Sequence, residues 1–198
     1  MKKLFYISVL IACMIGVSPA LAQSTFSMEY SIGTGSGETK SFISSPSFRG
    51  GMLAYRRMIN PNIGVGVDAG WNIFYERRAY DTYTSGTVSL SGVQYRYINA
   101  IPIYLAFDYC LKPNEKLNPF FGLGVGTIYL RKNTDMNVYT IENNAWAFAL
   151  RPEAGVRLEA SPGMDFILAA KYNYAFSTDA LNAQSYFTFN IGFVFKGR

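Results

Sequence analysis

The side chains here that could do chemistry are carboxylates, guanidiniums and one late thiol, because histidine is absent from all 198 residues. That absence removes Ser-His and Cys-His nucleophile pairs and imidazole metal sites. Glu153 and Glu159 are the carboxylates whose placement on one strand face would suit acid–base work. Arg151 and Arg157 share that face, so structural ion pairing is the stronger reading and the chain is expected not to be an enzyme. Gly122, Gly124 and Gly126 have the look of a phosphate-binding loop, but no helix follows. Their spacing of two instead gives small positions on one strand face. Cys110 reads as a small apolar filler near a turn. Nothing in this set calls for a cofactor or a metal.

The elements that position these groups follow an export signal. Lys2 and Lys3 precede a nearly unbroken apolar run from Leu4 to Val17, and Ala20-Leu21-Ala22 ends it with a small-residue cleavage pattern. Residues 1–22 are therefore expected to be a cleaved signal peptide and 23–198 one barrel domain. The apolar run is short for a membrane helix. Leu10-Ile11-Ala12-Cys13 loosely resembles a lipobox, but apolar sequence continues past Cys13 and the better cleavage site lies beyond it. Cleavage removes two lysines and no acid, lowering the net charge from +5 to +3. Such a mild, dispersed charge argues against nucleic acid as a partner. Cys110 would be the lone remaining cysteine, so no internal disulfide could form.

Period-two alternation then runs to the end of the chain. It marks strands beginning at Phe26 and at about 48–58, 62–76, 92–109, 119–131, 145–159, 164–176 and 185–196. Longer polar connections at 33–47, 77–91, 132–144 and 177–184 alternate with tight ones at Asn60-Pro61-Asn62, Lys112 to Asn118 and Ser161-Pro162-Gly163. Long loops on one side and short turns on the other are the asymmetry of an outer-membrane barrel whose short side and both termini face the periplasm. The expected fold is all-β: an eight-stranded antiparallel up-and-down transmembrane β-barrel.

Composition orients the two strand faces. One carries Trp71, Tyr75, Tyr95, Tyr129, Trp146, Phe148, Tyr174 and Phe176 toward the long loops. Tyr55, Phe107, Phe121, Phe166, Phe193 and Phe195 lie toward the short turns, with Val65, Val67, Ile101, Ile103, Val125 and Leu168 between. Two aromatic belts around an aliphatic band match a bilayer's interfaces and hydrocarbon. The other face carries Glu29, Arg56, Asp68, Arg96, Asp108, Arg151, Glu153, Arg157, Glu159 and Lys171. Turned to lipid, each basic residue would cost about 2–4 kcal/mol at mid-depth; turned inward, the two signs pair across the lumen. Pro102 and Pro152 fall inside strands, where each should mark a bulge or a weakened ladder position. Asn99 falls on the apolar face, near its outer end.

Three stretches carry a family resemblance across the chain after residue 22: Ile101-Pro102-Ile103-Tyr104-Leu105, Asn118-Pro119-Phe120-Phe121-Gly122-Leu123-Gly124-Val125-Gly126, and Phe187-Thr188-Phe189-Asn190-Ile191-Gly192-Phe193-Val194-Phe195. The pattern resembles small outer-membrane barrels of the OmpX, OmpW and OmpA-transmembrane-domain kind. The last stretch is similar to the C-terminal signal read by the barrel-assembly machinery, although Lys196-Gly197-Arg198 follow the aromatic on which that signal usually ends. Eight strands leave a lumen just wide enough for side chains to fill. A plugged barrel is therefore expected, an envelope component in a Gram-negative outer membrane surrounded by lipid. Its contacts with any surface partner would be made by the loops, with Arg78, Tyr80, Asp81, Tyr83 and Tyr139 as recognition candidates. The alternative, implied by the OmpW resemblance, is a narrow channel or a path for a small apolar molecule, with Phe74 and Ile128 lining its loop end.

Overall fold

The computed structural model describes residues 23–85, 88–113 and 115–197, so the signal-peptide expectation for 1–22 lies outside the described residues. Eight strands close into one antiparallel barrel: β1 (Ser24–Ser36), β2 (Ser47–Met58), β3 (Ile63–Ser85), β4 (Val88–Cys110), β5 (Leu117–Met136), β6 (Tyr139–Ser161), β7 (Met164–Ala175) and β8 (Gln184–Lys196). Each strand pairs with its sequence neighbour, and β1 pairs with β8 from Thr25↔Lys196 to Ser36↔Ser185. Closure leaves no edge within the ring, so the backbone there is satisfied without water, as a lipid environment demands.

The burial pattern is inside out. Val67, Leu105 and Leu168 form part of an exposed aliphatic band, while Arg56, Asp68, Arg151 and Lys171 are buried. Aromatic pairs border the band: Tyr129 with Trp146 and Phe148 with Phe176 toward one end, Phe166 with Phe193 toward the other. A contiguous apolar girdle of this extent would be an aggregation surface in water and is the natural surface in a bilayer. Asn99 faces outward in register with Ile73 and Arg131, at the loop-side margin of the girdle.

Neither proline makes a bulge. Opposite Pro102 the β3–β4 ladder is interrupted between Ala69↔Ile103 and Asn72↔Ala100, and opposite Pro152 the β6–β7 ladder is interrupted between Leu150↔Tyr174 and Glu153↔Lys171. The register is the same on both sides of each gap. A missing N–H thus removes a rung without inserting a residue. The bulges lie elsewhere, at Ser31/Gly33, Arg78/Asp81 and Glu159/Ser161.

Three of the long connections differ from the loops expected. Strands β3 and β4 pair onward through 77–91 as far as Ser85↔Val88, and β5 and β6 pair to Met136↔Tyr139. Asn137 takes a φ of 53° in that tight hairpin, a conformation Asn tolerates better than most residues. These segments are polar on both faces and carry no one-sided apolar pattern, so alternation does not mark them as strands. The connection 33–47 contains a short helix, α1 (Gly37–Phe42), which Gly37 enters at a φ of 53°. Tertiary contacts hold these six residues. Thr39 Oγ1 donates to Gln184 Oε1 at 2.9 Å and accepts from the Ser185 N–H, and Ile43 fills the barrel mouth with no exposed surface. Glu76 then anchors the chain after the helix, accepting from the Ser44 hydroxyl at 2.7 Å and from the Ser45 N–H at 3.2 Å.

Candidate functional site

The lumen is built in layers. At its centre β1, β2, β3, β4, β6 and β7 send in four acids, Glu29, Asp68, Asp108 and Glu153, and four bases, Arg56, Arg151, Arg157 and Lys171. Arg56 is the hub. It bridges both carboxylate oxygens of Asp68, donates from Nε to Asp108 Oδ2 at 2.9 Å, and lies 3.6 Å from Glu153. Arg151 donates to Asp68 and lies 3.3 Å from Glu153 Oε2. Arg157 donates to Asp108 at 2.7 Å, and Lys171 reaches Glu29 at 2.7 Å and Glu153 at 3.3 Å. Neutral groups complete the set: Asn190 and Ser27 donate to Glu29, and Met52 Sδ accepts from Arg151 at 3.3 Å and from Lys171 at 3.4 Å. Equal numbers of opposite charges can share a dry interior because each has a partner.

Glycines on β5 make the room. A Cβ on Gly122 would come within 2.6 Å of Glu153 Oε1 and 2.9 Å of Asp108 Oδ1, and one on Gly124 within 3.1 Å of the Tyr104 ring. The space remaining inside the network is about 10 Å³, enough for roughly one water. Aromatic rings bound it on both sides. The Arg151 guanidinium lies 4.7 Å from the Tyr104 ring centre and that of Arg157 lies 4.8 Å from Phe120. Toward the loops an apolar layer of Phe74, Ile98, Ile128, Leu130 and Tyr186 closes over Tyr104, and Ile43 after α1 packs into it. Phe74 and Ile128 do face inward, but they pack in this layer with no exposed surface instead of lining an opening. Toward the turns, Cys110, Phe120, Ile167, Ala169 and Val194 form a second layer above a polar vestibule of about 550 Å³.

Two residues expected in this network stand apart from it. Arg96 is half-buried at the mouth, donating to Gln94 and to the Phe42 carbonyl, with its guanidinium 4.8 Å from the Phe42 ring centre. Glu159 is exposed on the turn side, where its strand has run past the packed lumen. Alternation assigns both to the inward face but carries no depth, and depth separates a lumen charge from a rim charge. The neutral members Tyr104, Asn173, Asn190 and Met52 were not singled out from the sequence. Their signal was the same inward parity.

Beyond the barrel mouth, β3 to β6 continue as a four-stranded sheet, joined across β4 and β5 as far out as Gln94↔Met136. The recognition candidates divide between its two hairpins. On β3–β4, Tyr80 is 73% exposed, Arg78 Nε lies 3.0 Å from Glu76, Asp81 accepts from the Thr82 N–H, and Tyr83 donates to the Ala79 carbonyl. Tyr139 stands exposed on the other hairpin, near Val138 at the tip. There Arg131 donates to Glu142 at 2.7 Å and holds that carboxyl below its ordinary value. The β6 segment from Tyr139 to Ala147 has no β7 partner, since the β6–β7 register begins at Ala149↔Ala175. Among the described residues no group of three or more Cys, Asp or Glu is placed to hold a metal ion.

No family model matches the chain, and no curated protein matches it. Solved structures do. Neisserial surface protein A is 13% identical with a TM-score of 0.53, covering 89% of this chain and 97% of its own. The attachment invasion locus protein Ail of Yersinia pestis is 14% identical with a TM-score of 0.53, covering 89% and 99%. The outer membrane protease OmpT of Escherichia coli is 8% identical with a TM-score of 0.51, covering 91% and 98%. At such identities the likeness is one of fold, and one fold hosts a surface protein, an attachment invasion locus protein and a protease alike. With its closed ring, its inside-out burial and these neighbours, the chain has the fold of the small outer-membrane β-barrels, here with eight transmembrane strands.

Proposed function

We propose that this chain is a non-enzymatic protein of a Gram-negative outer membrane, exported behind residues 1–22, whose lumen is closed and whose work is done at the loop end. The observation that carries the reading is the sheet formed by β3 to β6 beyond the mouth. It carries exposed aromatic side chains such as Tyr80 and Tyr139, and its β6 edge is unpaired from Tyr139 to Ala147. Polar, exposed strands with no core of their own contribute little to the barrel, so their retention suits contact with a partner. The barrel is then a rigid stalk held by lipid on its outside and charge pairs within. Biogenesis would use the barrel-assembly machinery, for which Phe187 to Phe195 supply the terminal strand signal. One neighbour, Ail, carries attachment in its name, which is consistent with such a role.

Trimming the projecting sheet, by joining Arg78 to Gly92 and Asn133 to Glu142 through short turns, should leave a barrel that still migrates as a folded species on unboiled gels. Bacteria displaying the intact chain should adhere to at least one surface of a panel (collagen, fibronectin, heparin, plain glass) to which those displaying the trimmed chain do not. Equal adhesion across the panel would remove the sheet from the account.

A further inference from the structure

We propose that the vestibule on the turn side binds the zwitterionic end of an α-amino acid, its carboxylate on Arg157 and Lys116 and its ammonium on Glu159. The proposal rests on the reading that the chain is exported behind residues 1–22 with its turns in the periplasm. It is independent of what the projecting sheet binds. Strands β1, β2 and β4 to β8 and the turns between them contribute the vestibule's walls. Its volume of about 550 Å³ falls in the range of about 300–1,000 Å³ common to small-molecule sites.

The charges around it do not close on themselves. Glu159 and Asp165 are register partners across β6 and β7, two acids opposite one another. Such a pair is destabilising unless cations intervene. Lys196 takes Asp165 at 2.7 Å, and Glu159 is left exposed and in no ion pair among the described residues. Lys116 is likewise exposed and without an ion pair, whereas Lys112 and Glu115 beside it hold each other at 2.9 Å. The Glu159 N–H donates to the Lys116 carbonyl at 2.8 Å, so one free acid and one free base share a stretch of the rim.

The floor supplies a further donor. Arg157 is only 8% exposed and borders both the charge network and the vestibule. One of its terminal nitrogens donates to Asp108 at 2.7 Å and the other reaches Cys110 Sγ at 3.9 Å, but Nε has no partner. A buried guanidinium N–H without an acceptor is costly, and a carboxylate is a strong acceptor for it. Glu159 follows Arg157 by two residues on the same face of β6, about 7 Å along the strand. Side chains of their length can close that separation onto the two groups of one α-carbon. An anion alone would leave Glu159 unmatched, and a cation alone would leave Arg157 and Lys116. A zwitterion satisfies all three. Free amino acids carry this end group, and so does the diamino acid of cell-wall peptides.

The test is isothermal titration calorimetry of the refolded chain from Gln23 in detergent. The probes are alanine, N-acetylalanine, alaninamide and the wall tripeptide L-alanyl-γ-D-glutamyl-meso-diaminopimelate. Alanine should bind about tenfold more tightly than either blocked form, the scale of one charge-assisted contact. Tighter binding of the tripeptide would assign the site to the cell wall, and equal or weaker binding would assign it to a free solute. Glu159→Gln should weaken alanine and leave N-acetylalanine unchanged, since that probe has no ammonium to lose. Arg157→Lys keeps a cation beside Asp108 but removes the free Nε donor, and should weaken both. Both variants should keep the folded mobility on unboiled gels. No binding of alanine or the tripeptide, equal binding of alanine and its blocked forms, or an equal loss of alanine and N-acetylalanine in Glu159→Gln would overturn the proposal. The orientation beneath it is read separately: a membrane-impermeant maleimide should miss Asn60→Cys in intact cells and reach it once the outer membrane is opened. Labelling of intact cells would overturn that orientation whatever the ligands do.

Discussion

Arg151→Met is expected to lower the unfolding free energy of the refolded barrel by about 3–5 kcal/mol, the cost of breaking a buried ion pair from one side. Arg151 has no exposed surface, and it neutralises Asp68 and Glu153 together while packing on Tyr104. Methionine fills much of the space but leaves the eight-charge centre with one acid in excess, in a cavity with room for about one water. Adding Asp68→Asn restores the balance of charge. The double variant should therefore lose less than the sum of the single losses, because the two side chains share one network. Urea titration of the four proteins in lipid vesicles measures the coupling. Strict additivity would mean that the lumen charges are independently solvated and that the network has been misread.

The second large effect lies on the other face. Leu105→Arg should cost about 2–4 kcal/mol if Leu105 lies near mid-depth in hydrocarbon. Leu105 sits in an outward row with Val67 on β3 and Val125 on β5, between the aromatic belts. The same substitution at Tyr109, toward the turns on the same strand, should cost about 0–1 kcal/mol, because a guanidinium there reaches the interface. Vesicle refolding equilibria at the two positions give the comparison. Equal, small costs at both would place this face in water and reverse the barrel's polarity.

The ring of eight strands and its two faces were legible in the sequence because a bilayer imposes a period of two on every strand that crosses it. Val67, Leu105 and Leu168 could be placed outward, and Asp68, Arg151 and Lys171 inward, from parity alone. That constraint ends at the membrane surface. The pairing of Asp81 with Gly92, or of Thr134 with Ile141, lies in the projecting hairpins, where no hydrocarbon imposes an apolar face, so nothing in their order distinguishes strand from loop. Helix α1 was equally hidden. Its six residues are too few to form a stable helix alone, and what holds it is distant in sequence, at Gln184, Ser185 and Glu76.

The candidate site divides along the same line. Parity located the inward charges, but partner choice depends on which strands face each other across the lumen and at what height. Arg96 and Glu159 show the consequence, since each keeps the inward parity of its strand and stands beyond the central layer.

The central claim is that the lumen is closed, by one charged layer between two apolar ones. Single-channel recording of the refolded chain in a planar bilayer tests it directly, once an unboiled-gel shift has shown the barrel to be folded. The account predicts a silent membrane for the intact chain and for Arg157→Met, because the apolar layer at Phe74 and Ile128 still seals the loop end. Discrete, reproducible conductance steps from the intact chain would contradict it and make transport, by a narrow path past Arg151 and Arg157, the function to pursue.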